Sequence, residues 1–85
     1  VITPIVTVYT RNHPKCMACE ATKRRLSRRG IAFSEVDIDD DPNIGEAIAY
    51  LGLTSLPVVL AETSTGERYW SGFRPDKIDA LAVVA

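Results

Sequence analysis

Two cysteines with two residues between them, Cys16-Met17-Ala18-Cys19, carry most of the chemistry in this sequence. On the first turn of a helix, that spacing brings two sulfurs close enough to bridge. A cysteine at a helix N-terminus also meets unpaired backbone N–H groups and the positive end of the helix dipole, both of which favour a thiolate. The second cysteine, one turn further in, is expected to lie deeper. The pair then supplies an attacking sulfur and a resolving sulfur, as dithiol–disulfide exchange requires. Lys15 adds a positive charge next to Cys16 and is expected to lower its pKa. Three other uses compete: inert core cysteines, a structural zinc site and a copper-carrying module. Zinc takes four ligands, and only His13 remains as a further soft one. His13 itself stands in a polar loop and reads as solvated. A copper module places a β-hairpin after its first helix, so the order of elements decides that case.

The elements that position the pair follow from patterning. Residues 5–10, Ile-Val-Thr-Val-Tyr-Thr, are β-branched and aromatic and read as a buried strand. Tyr9, near its end, is expected to pack beneath the cysteine loop. A polar loop follows, and from Cys16 the spacing of Met17, Ala21 and Leu26 predicts a helix that Gly30 stops. The basic residues 23–29 fill its last turns, where cations complement the dipole, which weakens a nucleic-acid reading. Residues 33–38 alternate as a second strand, and 39–42 make a turn with Pro42 at the first position of a helix over 43–51. In that helix Ile44, Ala47, Ile48 and Leu51 share a face. Pro57 precedes a third strand at 58–61, 63–66 is a hairpin turn, 68–71 a fourth strand, and Pro75 opens a last helix with Ile78, Leu81 and Ala82 inward. The order is β-α-β-α-β-β-α, and one strand and a second helix, not a hairpin, follow the first helix. That speaks against the metal carrier.

Composition sets the frame. The chain has 85 residues, 46% apolar and 25% charged, with mean hydropathy +0.01, the profile of one globular domain spanning residues 1–85. No run approaches the roughly 18 apolar residues of a membrane span. Val1-Ile2-Thr3-Pro4 shows no leader pattern, so a cytoplasmic domain is expected. Net charge is -1, but it is segregated: residues 1–30 hold seven Lys and Arg against Glu20 alone, and residues 31–67 hold eight acids and no Lys or Arg. Two solvated faces attracting each other within the fold would account for this. A field that orients a partner protein would account for it too.

Pro57 and the run after the fourth strand bring in a resemblance. The element order, the C-x-x-C after the first strand and Leu56-Pro57 before the third are similar to the glutaredoxin branch of the thioredoxin fold. Trp70-Ser71-Gly72-Phe73-Arg74-Pro75 resembles a hallmark run of the NrdH-type redoxins. The resemblance covers the whole chain. It implies an α/β thioredoxin fold of the glutaredoxin type: a four-stranded mixed sheet with helices on both faces. With the cysteine pair, it also leads to the expectation of a cis Leu56–Pro57 bond that presents the Leu56 backbone to an extended peptide. It implies electron donation to the large subunit of a class Ib ribonucleotide reductase, with recharge by thioredoxin reductase. NADPH and FAD then belong to that reductase, and the domain, expected as a monomer, binds no cofactor and no metal. Residues 70–74 become a wall of the partner site, with Ser71 and Arg74 in a hydrogen-bond network that holds it. A glutathione-using glutaredoxin is expected to carry a Gly-Gly pair here; Gly72 stands alone and Phe73 adds bulk. Recharge by glutathione or another small thiol remains the alternative. The chain departs from the group in a longer loop before Cys16, in Met17-Ala18 where Val-Gln is usual, and in a long hairpin around residues 63–67.

Overall fold

The computed structural model describes residues 4–84, so of the domain expected over 1–85, positions 1–3 and 85 lie outside the described residues. Its elements are β1 (Ile5–Thr10), α1 (Met17–Arg28), β2 (Ser34–Asp37), a 3-10 turn (Ile38–Asp40), α2 (Pro42–Tyr50), β3 (Val58–Thr63), β4 (Gly66–Ser71) and α3 (Pro75–Val84). The sheet order is β2-β1-β3-β4. Strands β1 and β2 run parallel, β3 is antiparallel to β1, and β4 is antiparallel to β3. This is the mixed four-stranded sheet expected from the sequence.

Period-two alternation divides the sheet between its two layers. Val8 pairs with Val59 and Val59 with Trp70, so these three share one face. There they meet Leu26 of α1 and Ile78 and Leu81 of α3 in a single buried cluster. The intervening residues Tyr9, Val58, Leu60 and Tyr69 face α2 instead, across a cleft of about 220 Å³ that Ile44, Ala47, Ile48 and Leu51 close from the helix side. Tyr9 therefore lines the α2 cleft.

Local signals explain most boundaries. Helix α1 ends in a Schellman turn: Gly30, at φ 71°, donates to the Ser27 carbonyl and Ile31 to that of Leu26. Its buried face is Cys19, Thr22 and Leu26, while Met17 is exposed, so the Met17-Ala21-Leu26 spacing gives the helix but not its inner stripe. The Asp41 carboxylate caps α2 by accepting the Asn43 N–H, with Pro42 in the first turn. Strand β2 stops four residues in, because the Asp37 carboxylate accepts the Asp39 N–H and draws Ile38 into the 3-10 turn. The hairpin strands extend beyond the expected 58–61 and 68–71. Thr63 pairs with Gly66, leaving a two-residue turn that the Thr63 hydroxyl braces by donating to the Gly66 carbonyl.

Lys23–Glu35 and Arg11–Asp39 join the basic block to the acidic one, while Glu20 lies within the basic block and Asp79 beyond the acidic one. Lys23 reaches Glu20 and Glu35, Arg11 reaches Asp39, and Arg25 and Arg29 converge on Asp79 of α3. The Arg25 guanidinium holds the Asp79 carboxyl below the usual carboxylate range, against the opposing pull of desolvation. A carboxyl lowered in the folded state stabilises it above the unfolded pKa, and the benefit disappears as pH falls through the folded one. Asp79→Asn should therefore lower Tm by a few degrees at pH 7. The gap from the wild type should close as pH falls below about 4, read in thermal melts across pH.

Candidate active site

Cys16 is the N-cap of α1, with extended backbone (φ -105°, ψ 106°) that turns the chain from the loop after β1 into the helix. Its Sγ accepts the backbone N–H of Cys19 at 3.1 Å, occupying a donor that the helix cannot satisfy itself. The two sulfurs lie at disulfide distance, with Cα atoms 5.2 Å apart. Burial separates them: Cys16 is partly exposed, while Cys19 is 1% exposed and faces the core. Lys15, one residue earlier, is exposed and forms no ion pair among the described residues.

The loop before β3 carries the next of the expected site residues. Leu56–Pro57 is cis, as expected, and His13–Pro14 in the loop before Cys16 is cis as well. Pro57 is buried, and its carbonyl accepts the Gly72 N–H at 2.8 Å. That bond ties the proline loop to the segment after β4, and Gly72 meets it at φ 81°, a conformation that strongly favours glycine.

Within the run 70–74 the residues separate. Trp70 is 5% exposed and sits in the core beneath α1 and α3, not on the wall, and its Nε1 has no hydrogen-bond partner among the described residues. Register explains this: Trp70 stands opposite Val59, and both point to the face that α1 and α3 cover. The expected Ser71–Arg74 network is absent among the described residues. Arg74 instead makes a two-pronged pair with Asp76 in the first turn of α3, and its carbonyl accepts the Lys77 and Ile78 N–H groups. That pair holds the Asp76 carboxyl below its ordinary value. Phe73 is 40% exposed and Met17, the residue after Cys16, 67% exposed. Among the described residues, no three His, Cys, Asp or Glu side chains group as metal ligands.

Comparison with known proteins gives a consistent result. Residues 6–64 match the glutaredoxin family model. The chain is 45% identical over 76 residues to the glutaredoxin-like protein NrdH of Escherichia coli K12, covering 89% of this chain and 86% of that one. It is 37% identical over 78 residues to NrdH of Lactococcus lactis subsp. cremoris, covering 92% of this chain and all of the relative. The solved structure of NrdH-redoxin from Escherichia coli, a glutaredoxin-like protein with a thioredoxin-like activity profile, superposes with a TM-score of 0.79 at 45% identity, over 89% of this chain and 92% of that one.

Two substitutions test the roles of these residues in stability. No atom lies within 4 Å of a Cβ built at Gly72, so Gly72→Ala meets only the backbone cost of positive φ. It should lower stability by about 1 kcal/mol in urea unfolding. Trp70→Ala empties the core and should cost about 3–5 kcal/mol, so its main effect should appear in the unfolding midpoint.

Proposed function

This chain belongs to the glutaredoxin family as an NrdH-type member, a thiol-disulfide oxidoreductase, and we propose that it carries electrons from thioredoxin reductase to the large subunit of a class Ib ribonucleotide reductase. In the dithiol form, the Cys16 thiolate attacks one sulfur of the substrate disulfide. A mixed disulfide forms through Cys16, and the other substrate sulfur leaves as a thiolate. Cys19 then gives up its proton and attacks the Cys16 sulfur, which closes the protein disulfide and releases the second substrate thiol. Two electrons have passed to the substrate. Thioredoxin reductase returns them from NADPH through its own FAD, and the domain, working as a monomer in the cytoplasm, holds no cofactor.

The observation that carries this assignment is the asymmetry of the pair. Cys16 is the partly exposed helix cap whose sulfur faces a backbone N–H, and Cys19 is buried one turn in. A hydrogen bond and the helix dipole both favour negative charge on the first sulfur, which makes it the attacking and leaving group. Lys15 is assigned a supporting charge. The Leu56 backbone, ahead of the cis bond, is assigned the role of pairing with the substrate segment, and Pro57, Ser71, Gly72, Phe73 and Arg74 shape the wall beside it. Trp70 supports that wall from the core.

The partner assignment is supported by the thioredoxin-like activity profile of the Escherichia coli relative and by Gly72 standing without a second glycine, with the bulky Phe73 after it. Coupled NADPH oxidation should therefore be robust with thioredoxin reductase and weak with glutathione and glutathione reductase. Robust glutathione turnover would move the protein to the alternative reading. Cys16→Ser should abolish disulfide reduction. Cys19→Ser should accumulate a mixed disulfide through Cys16, visible by mass spectrometry; trapping through Cys19 in Cys16→Ser would reverse the assignment.

A further inference from the structure

Residues 23–29 of the chain hold five cations, and the fold uses three of them. Lys23 lies 3.0 Å from Glu35 and 3.1 Å from Glu20, Arg25 lies 2.6 Å from Asp79, and Arg29 lies 3.4 Å from it. Arg24 and Arg28 are exposed and make no ion pair among the described residues. The dipole favours Arg28 in the last turn of α1, but like charges four residues apart on a helix repel, so helix stability does not account for the Arg24 and Arg28 pair. The nearest acid on their own helix, Glu20, is held by Lys23.

Their position is informative. Met17, Ala21, Arg24 and Arg28 follow the helical repeat and form one stripe along α1. Phe73 lies against that stripe and, with Ala21, Arg24, Arg25 and Arg28, lines a groove of about 260 Å³. The stripe begins beside Cys16 with an exposed apolar side chain and ends in two free cations. From Met17, Arg24 is about 10 Å along the helix and Arg28 about 16 Å, at about 1.5 Å per residue. An extended chain covers about 3.3 Å per residue and turns every second side chain to one face, while helical side chains lean toward the helix N-terminus, so the same-face positions that meet the two guanidinium groups lie two and four residues beyond the one over Met17.

We propose that this stripe docks an acidic segment of the disulfide-bearing partner. The segment lies extended along α1, with an apolar residue beside its cysteine over Met17. Its carboxylates, two and four residues further on and so three and five beyond the cysteine, share that face and pair with Arg24 and Arg28. The inference rests on the redox reading above and adds the chemistry of the substrate that the site selects.

The test compares peptides that carry one cysteine as its 2-mercaptoethanol disulfide, an apolar neighbour, and Asp, Asn or Lys three and five residues beyond it. Their reduction by the pre-reduced protein is followed by chromatography. The Asp peptide should react about tenfold faster than the Asn peptide at low ionic strength, and the gain should collapse at about 0.5 M salt. Arg24→Gln with Arg28→Gln should erase the difference, Arg24→Glu with Arg28→Glu should turn the preference to the Lys peptide, and Lys77→Gln on α3 should keep the wild-type order. All variants should reduce bis(2-hydroxyethyl) disulfide, which is neutral and too small to reach the groove, at the wild-type rate. Equal rates for Asp and Asn peptides in the wild type, or a preference that survives the double glutamine variant, would overturn the proposal. So would a salt-sensitive dimer in sedimentation that the double glutamine variant abolishes, since a second copy would then fill the groove. A wild type inert even toward the small disulfide would instead remove the redox reading beneath it.

Discussion

The structure is organised around a sulfur that caps a helix. The Cys16 Sγ occupies the place a serine or aspartate oxygen takes at other N-termini, and it accepts the Cys19 N–H. That geometry needs the chain to arrive in extended conformation and turn at once into α1, and it needs α1 to stay fixed relative to the sheet. Leu26, fully buried against the sheet, and the Arg25–Asp79 pair to α3 meet that second need. The Schellman turn fixes the other end of the helix by placing Ile31 beside Leu26 in the core. A helix held at both ends and along its inner stripe keeps the capping sulfur in one position.

Features set by a single residue and its neighbours were legible in the sequence. Gly30 stops α1, Asp41 and Pro42 start α2, and the cysteine pair falls on the first turn, because each depends on backbone preferences within a few residues. The strand directions were legible too, since the βαβ unit and the hairpin leave few alternatives. Features set by register across the sheet were not. Whether Trp70 lines the site or the core depends on its pairing with Val59, and whether Tyr9 points toward the cysteines depends on which face α2 covers. Alternation marks two faces of a strand but does not say which layer each meets. Arg74 is a similar case: its choice of Asp76 over Ser71 follows from where α3 begins.

The two layers around the sheet are unequal. On the α1 and α3 side, large side chains interlock and several are fully buried. On the other side, α2 presents Gly45, Ala47 and Ala49 among its residues, none of its side chains is fully buried, and a cleft separates it from the sheet. Close packing makes a layer resist displacement, while a gap forfeits dispersion contacts on both of its walls. The cysteines belong to the interlocked layer.

That inequality bears on how a small domain can meet large partners. A site that exchanges disulfides must present one sulfur in a fixed direction while its surroundings accommodate different proteins. Here the interlocked layer holds Cys16, and a backbone bond from the Gly72 N–H to the Pro57 carbonyl ties the proline loop to the segment after β4. Ordering a flexible wall at the moment of binding would subtract from affinity, and a backbone bond already made avoids that cost. The same reasoning separates the charges. Those that pair internally, such as Lys23 with Glu35 and Arg25 with Asp79, tie α1 to β2 and α3. Arg24 and Arg28, which make no ion pair among the described residues, lie on the face of α1 that leads away from the sulfur along the surface. Segregation of charge in the sequence therefore serves the fold on the helix's inner flanks and is left over for recognition on its outer stripe.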